Sequence, residues 1–473
     1  MTHRLSRFWV CLVVIVIAGF GIRLASMALW APNKVPETAL LDCPSYKVYL
    51  CGDAVYYHDA ANLLAEGKGF VDPYRYLYGA KEQVPLADGT TVEVVTPVGH
   101  LEPTAGHPPV YVMYLGIFSA LGLKSVAAHQ LASILLGSAS IVLAGLLGRS
   151  WRNERVGLIA AFLTATYANI WINDTAVMSE TAAIFFTFVA SIFGLRFVRN
   201  PSRKNAAIFA AAGAFAALSR AELVLFVPIL AVVVLWRAPL RWRERFLRYG
   251  IAGVVCCAVL APWVIRNNIV MHERVTLSDG SGTVMVQANC DETYYGAHLG
   301  YWSLPCGYPQ PFGPNGELLD ESQRDVVVRE RATDYISAHK SRLVTVVIPA
   351  RIGRVWGLYE PLEQIRLDIG EGRPSIPAKL GFLQYLILAP AAIAGAVIQW
   401  RRRQPVLVIG LWAVLATVTA ATAFGTTRYR TAAEVSIVMF AAITIEALWL
   451  LLQRRRNAST SPNVDTDDFV AAP

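Results

Sequence analysis

The chain has 473 residues, of which 55% are hydrophobic and only 16% charged, with a formal net charge of +8 and a mean hydropathy of +0.43. Soluble domains carry about 25% charged residues, so an ordinary water-soluble enzyme is excluded and the bilayer is the expected solvent. The positive balance does not call for a nucleic-acid partner, because 20 of the 42 Lys and Arg fall in six short clusters beside apolar runs, where they mark the cytoplasmic side.

Taken in chain order, the apolar runs are 8–30, 125–147, 156–172, 181–198, 206–218, 222–236, 249–268, 379–400, 405–424 and 431–452. A crossing needs about 20 apolar residues. The runs 206–218 and 222–236 fall short, but both outer flanks are basic, which predicts a helical hairpin whose charged turn at Ser219 to Glu222 reaches the outer face. Ten crossings put every basic cluster, and both termini, in the cytoplasm. The stretch 108–123 is too short to cross and is expected to lie along the outer leaflet as an interfacial helix. The small residues Leu24-Ala25-Ser26-Met27-Ala28 leave a cleaved signal peptide as the alternative for the first run.

The expected organisation is a cytoplasmic N-terminus and first span (1–30), an exoplasmic loop with interfacial helices (31–124), spans two to seven (125–268), a second exoplasmic segment (269–378), spans eight to ten (379–452) and a disordered cytoplasmic tail (453–473). The fold class is therefore an all-α polytopic membrane protein. In 31–107, ten acidic residues stand against five basic ones, the reverse of the cytoplasmic loops. Four of the seven cysteines, Cys43, Cys51, Cys290 and Cys306, lie in the exoplasmic segments as two close pairs and are candidate disulfides. No nucleotide-binding glycine motif or zinc-like Cys/His spacing is present.

The block 52–70 reads as a helix that starts at Asp53 and stops at Gly67 and Gly69. Asp53 either caps that helix or faces a cavity, where desolvation would raise its pKa and suit it to general-base work. The acid after the first span, the helix ending in Gly-x-Gly-Phe and the later His107-Pro108-Pro109-Val110-Tyr111 resemble the integral-membrane GT-C glycosyltransferases. Among these the chain is most similar to bacterial members related to protein mannosyltransferases and aminoarabinose transferases. Further matches are the Gly145-to-Gly157 stretch, Ser179-Glu180, Leu218-Ser219-Arg220-Ala221-Glu222, Pro262-Trp263-Val264-Ile265-Arg266-Asn267, Arg354-Val355-Trp356-Gly357 and Arg428-Tyr429-Arg430.

That resemblance implies an inverting transferase in the bacterial cell membrane. It would take a polyprenyl-phosphate sugar as donor and a glycan, lipid or protein hydroxyl as acceptor, with Asp53 as base. It places His107 near the donor phosphate, although His, unlike Lys, is only partly charged at pH 7. Arg428 sits at an outer helix end, where cations are disfavoured, so phosphate binding or carboxylate pairing must hold it there. Arg351 and Arg354 are expected on an interfacial helix, touching phosphate or snorkelling to headgroups. Glu180 either lines the active cavity or caps a helix. Arg220 and Glu222 are expected in the hairpin turn, in a mutual or neighbouring salt bridge rather than in catalysis. No cofactor is implied, a metal bridged by neighbouring acids is not supported at Gly52-Asp53, and metal dependence stays open. Membrane lipids are the remaining partners. A transporter or lipid flippase is the competing reading, and a non-enzymatic assembly protein is a second.

Overall fold

In the computed structural model, which describes residues 7–30, 50, 52–85, 91–308, 311–313 and 317–460, helix dominates. After α1 (Arg7–Trp30) come α2 (Asp53–Ala65) and α3 (Pro73–Tyr78). An antiparallel pair follows, β1 (Ala80–Pro85) with β2 (Thr91–Thr96), in register from Ala80↔Thr96 to Pro85↔Thr91, and then α4 (Val110–Ala120). The central run is α5 (Val126–Trp151), α6 (Glu154–Thr166), α7 (Ala168–Thr175), α8 (Glu180–Arg199), α9 (Arg203–Ser219), a 3-10 turn (Ala221–Leu225), α10 (Phe226–Arg237) and α11 (Trp242–Val270). Next are α12 (Ser281–Ala288), α13 (Asp291–Tyr294), α14 (Glu321–Ala338), α15 (Lys340–Arg342), α16 (Ile348–Val355) and α17 (Pro361–Gly370). Last come α18 (Ser375–Arg401), α19 (Leu407–Thr422) and α20 (Thr431–Thr460).

Local chemistry sets many of these boundaries. The Ser125 hydroxyl accepts the Ala128 N–H, Asn153 accepts that of Val156 and Ser202 that of Asn205, which starts α5, α6 and α9 on satisfied donors. Asp320 and Gln323 form a reciprocal capping box at α14. Close packing of α5 on α6 depends on missing side chains: a Cβ on Gly157 would lie 2.5 Å from the Gly145 carbonyl oxygen, and one on Gly148 would lie 2.8 Å from the Gly157 Cα.

The main core joins α5, α6, α8, α9, α10, α18, α19 and α20, with Trp412 stacked 3.6 Å from Phe226. The central helices α5 and α8 have 61% of their most apolar stretch buried, while α11 has only 11%. Its Val254 and Ile269, and Ile387 of α18, are open to the surroundings. In water these faces would be a large apolar liability; hydrocarbon removes the cost. The all-α, multi-pass membrane architecture expected from the sequence is what the chain adopts.

The spans differ in detail from the sequence reading. Among the described residues six helices are long and apolar enough to cross a membrane, or seven with one bent pair counted as a span. The run 156–172, expected as one straight span, is α6 and α7 bent by 50°, because Tyr167 leaves helical geometry with ψ 114°. The runs 206–218, 222–236 and 405–424 are helical but short, as α9, α10 and α19. The stretch 108–123 forms α4, which packs against α2 through Tyr57, Tyr111 and Leu115.

Candidate active site

Gly52 creates the start of α2. Its φ of +53° suits a residue without a Cβ, and its carbonyl accepts the N–H groups of Val55 and Tyr56 and the Tyr74 hydroxyl. Asp53 is thereby the first helical residue, and its carboxylate makes no capping bond. The expected cap is corrected: Gly52 holds that position, and the Asp53 carboxylate is committed elsewhere. Its partner is Arg428, whose Nη2 donates at 2.6 Å, a charge-assisted bond stronger than a backbone cap. The other end of α2 is as expected, with Gly67 and Gly69 both at φ +77°.

Arg428 belongs to a 3-10 turn (Thr427–Arg430) leading into α20. The Thr427 hydroxyl donates to Asp368 at 2.6 Å and the Thr431 hydroxyl to the Arg428 carbonyl, so the turn is fixed at both ends. The guanidinium then meets three carboxylates: Asp53, Glu180 through Nε at 2.7 Å, and Glu371 at 3.7 Å from Nη1. Glu180, fully buried at the start of α8, also receives Arg220 at 2.9 Å, and Arg220 pairs with Glu222 at 2.5 Å as the sequence suggested. His107 stands with Nε2 3.6 Å from the other Asp53 oxygen. The rings of Tyr56 and Tyr57, centred 4.7 and 4.9 Å away, fix its orientation.

Burial alone would raise the Asp53 pKa, as the sequence reading supposed. Arg428 and His107 outweigh it and hold the carboxyl well below the usual carboxylate range. That expectation is therefore reversed in sign: the resting group is a stabilised carboxylate.

Asp53, His107, Arg220, Glu222, Glu371 and Arg428 line one cavity of about 670 Å³, within the roughly 300–1,000 Å³ usual for small-ligand sites. Five residues singled out in the sequence thus converge here, with Glu180 bonded to Arg428 and Arg220 beside them. Arg351 and Arg354 do not join them. Arg351 is buried and donates to the Ala288 carbonyl at 2.6 Å and to Asn289 at 3.0 Å. Arg354, also buried, donates to the Leu299 carbonyl at 2.7 Å and pairs with Glu363. Carbonyl oxygens that lack water recruit these cations into the packing, so the expected phosphate role is not met. Arg430 is likewise spent, on Glu434, the Val355 carbonyl and the Tyr385 ring.

Asp174, next to Glu180 in sequence, is sealed in a pair with Arg23 of α1 at 2.6 Å. Asp59 points away from the cavity and accepts from the Tyr78 hydroxyl. Cys290 and Cys306 are disulfide-bonded, whereas Cys43 and Cys51 lie outside the described residues. Among the described residues no three His, Cys, Asp or Glu side chains are arranged to hold a metal ion. The sequence reading missed Glu371, Tyr57 and Trp302. The Gly-Glu-Gly-Arg run around Glu371 was the one available signal, a charged turn between apolar stretches.

Residues 106–265 match the model of the dolichyl-phosphate-mannose-protein mannosyltransferase family. Among solved structures, the archaeal oligosaccharyltransferase AglB from Archaeoglobus fulgidus, in complex with an inhibitory peptide and a dolichol-phosphate, is 14% identical with a TM-score of 0.52, covering 97% of this chain and 52% of that one. The apo form of the A. fulgidus enzyme gives 14% and 0.50 over the same shares. ArnT from Cupriavidus metallidurans bound to undecaprenyl phosphate gives 12% and 0.40, covering 93% of this chain and 78% of that one. No curated protein matches the chain. The chain spans about half the length of the archaeal enzyme whose fold it shares. Its fold is that of the GT-C membrane glycosyltransferases, and the stretch 106–265, about a third of the chain, is similar to the protein mannosyltransferases.

Proposed function

We propose that this protein transfers a sugar from a polyprenyl-phosphate-linked donor to an acceptor hydroxyl, with inversion at the anomeric carbon and Asp53 as general base. The observation that carries the reading is the Asp53–Arg428 pair within a half-open cavity at the helix ends. The AglB structure that shares this fold is of a complex with dolichol-phosphate, which supports a lipid-phosphate donor here. The acceptor oxygen attacks C1 of the sugar and its proton passes to an Asp53 oxygen. The C1–O bond to phosphate breaks, and the bonding electron pair leaves on polyprenyl phosphate, which stays in the bilayer. Arg428 uses Nε and Nη2 in hydrogen bonds to Glu180 and Asp53, and Nη1 lies 3.7 Å from Glu371, so N–H groups on Nη1 and Nη2 remain to bond the phosphate. His107 supplies a further donor beside it.

The site belongs on the exoplasmic side of a bacterial cell membrane with both termini cytoplasmic. Glu180 begins α8 at the cavity while Arg196 and Arg199 end the same helix, as positive-inside topology requires. The Cys290–Cys306 disulfide fits an oxidising compartment. The test is reconstitution in liposomes with radiolabelled polyprenyl-phosphate mannose, galactose or arabinose, supplied one at a time. Release of polyprenyl phosphate that depends on the protein and on Asp53 is expected. Movement of intact donor across the bilayer without cleavage would establish the flippase reading instead.

A further inference from the structure

The cavity has a further, aromatic wall, bordering Arg428 through Tyr429 and Glu371, that the transfer chemistry does not use. Trp302, Phe424 and Tyr429 give it a run of half-buried aromatic faces, with ring centres 6.4 Å apart for Trp302–Phe424 and 5.0 Å for Phe424–Tyr429. Opposing chemistry comes from Ser281 and Gln287 on α12 and Glu321 at the start of α14.

This wall is built rather than loose. The Trp302 indole N–H donates to Glu371 at 3.2 Å, and the Tyr301 hydroxyl donates to the same oxygen. The Gly425 N–H reaches the Gly300 carbonyl at 2.7 Å, and the Ser303 N–H reaches that of Gln287 at 2.9 Å. The Cys290–Cys306 disulfide closes the same loop onto α12. On the polar side, Asp325 accepts the Gly282 N–H at 2.6 Å and the Ser281 hydroxyl at 3.2 Å, pinning α12 to α14. Glu321 accepts the Ala105 N–H at 3.1 Å. Beside it Asp279 is buried with neither carboxylate oxygen holding a protein donor. Burial and mutual repulsion favour a proton on the Asp279–Glu321 pair, so one carboxyl group can donate as well as accept.

We propose that this wall is the acceptor subsite and that the acceptor is a saccharide, whose ring stacks on Trp302 while its hydroxyls bond to Glu321, Ser281 and Gln287. The inference rests on the transferase reading and deepens it. A sugar ring presents axial C–H groups on one face, which suit the negative face of an indole, and hydroxyls around its edge, which suit carboxyl, amide and hydroxyl groups. An anionic lipid headgroup would need cations, yet the Lys and Arg among the described lining residues are Arg220 and Arg428, both already engaged by carboxylates. An extended peptide is commonly held by an unpaired strand edge, and the β1–β2 pair does not line the cavity. A neutral polyol matches what is there.

The test is saturation-transfer NMR on the full chain in lipid nanodiscs, with mannotriose, galactotriose and arabinotriose as probes and a Ser/Thr hexapeptide as comparison. At least one trisaccharide is expected to receive saturation on its ring protons. Trp302→Ala should weaken that binding about tenfold, and Trp302→Phe by less than about threefold. Both variants are checked for an unchanged unfolding temperature, and if Trp302→Ala fails this check Gln287→Leu replaces it with the same expected loss. Absence of binding by every trisaccharide, binding undiminished in the variants, or capture of the peptide instead would overturn the proposal. Donor cleavage measured without saccharide, with water attacking C1 and releasing the free sugar and polyprenyl phosphate, reports separately on the transferase reading: cleavage with no saccharide binding sinks the subsite alone, and saccharide binding with no cleavage of any donor, by water or by the bound saccharide, sinks the transferase alone.

Discussion

Asp53→Asn keeps the shape of the side chain and removes its charge. General-base assistance contributes roughly 10²- to 10⁴-fold, so kcat should fall by that factor, equivalent to about 3–5 kcal/mol of barrier. The stability cost is far smaller. The Asp53 side chain is 31% exposed, and Arg428 keeps Glu180 and Glu371, so screening limits the loss to about 1 kcal/mol. Loss of one negative charge beside Arg428 favours an incoming phosphate, hence the donor KM should stay level or fall while kcat drops. Initial rates in proteoliposomes over a range of labelled donor separate the two parameters. A kcat within threefold of wild type, or a donor KM that rises in step with the loss, would refute the assignment of Asp53 as base.

The pH profile of the same reaction carries a second signature. Arg428 and His107 hold the free-enzyme carboxyl below the ordinary range. A depressed folded value means that its stabilising contribution is present above the unfolded pKa and disappears only as pH falls through the lower folded one. Protonation of Asp53 therefore produces no acid limb in kcat/KM between pH 5 and 8. Once donor phosphate draws on Arg428, that depression weakens, and the acid limb of kcat, which reports the bound complex, moves to higher pH than that of kcat/KM.

Arg428→Lys keeps the charge but loses the planar fork that spans Asp53 and Glu180; donor turnover should fall at least about a hundredfold, measured in the same liposomes. Arg354→Ala strips the buried bond to the Leu299 carbonyl and leaves Glu363 unpaired; thermal unfolding should show a loss of about 3 kcal/mol while any folded protein keeps its donor KM. Replacing Cys290 and Cys306 by Ser opens a loop with a separation of 16 residues, for which chain entropy gives about 3 kcal/mol, read as a lower unfolding temperature. Asp279→Asn should raise stability near pH 7.5 by about 1–2 kcal/mol and change little near pH 4.5. Burial raises the Asp279 carboxyl to about 6, so the native state loses stability as pH rises from the unfolded value through the folded one, and the amide removes that loss.

What the sequence made legible follows physical rules that act locally. Arg428 stood out because cations are disfavoured at an outer helix end, and Asp53 because it opens a polar helix just after an apolar span; the two meet although 375 positions separate them. Arg351 and Arg354 were misread because one amphipathic turn looks the same whether its arginines reach headgroups or unsatisfied carbonyls, and only packing decides. The break at Tyr167 carries no Pro or Gly, so the bent pair read as one span. Glu371 and Trp302 sit in segments without apolar period, where position is set by the Gly300–Gly425 contact and the disulfide rather than by local pattern.

The charges around Arg428 explain why an acid with so low a pKa can serve as the proposed base. Asp53, Glu180, Glu222 and Glu371 crowd around Arg428 and Arg220, with His107 3.6 Å from Asp53, so a phosphodiester entering the cavity meets four acidic side chains as well as those cations. Burial raises the Glu371 carboxyl, which disfavours its charged form in that crowd. In the proposed transfer the crowding of anions is relieved by the reaction itself. As the sugar–phosphate bond breaks, the phosphate gains a second negative charge while Asp53, protonated by the acceptor, loses its own. Arg428 passes from one anion to the other with the local charge nearly constant, so the guanidinium favours the transition state over the resting pair. Its other contact, Nε on Glu180, stays in place throughout, and that fixed carboxylate keeps the fork aimed at the point where charge develops.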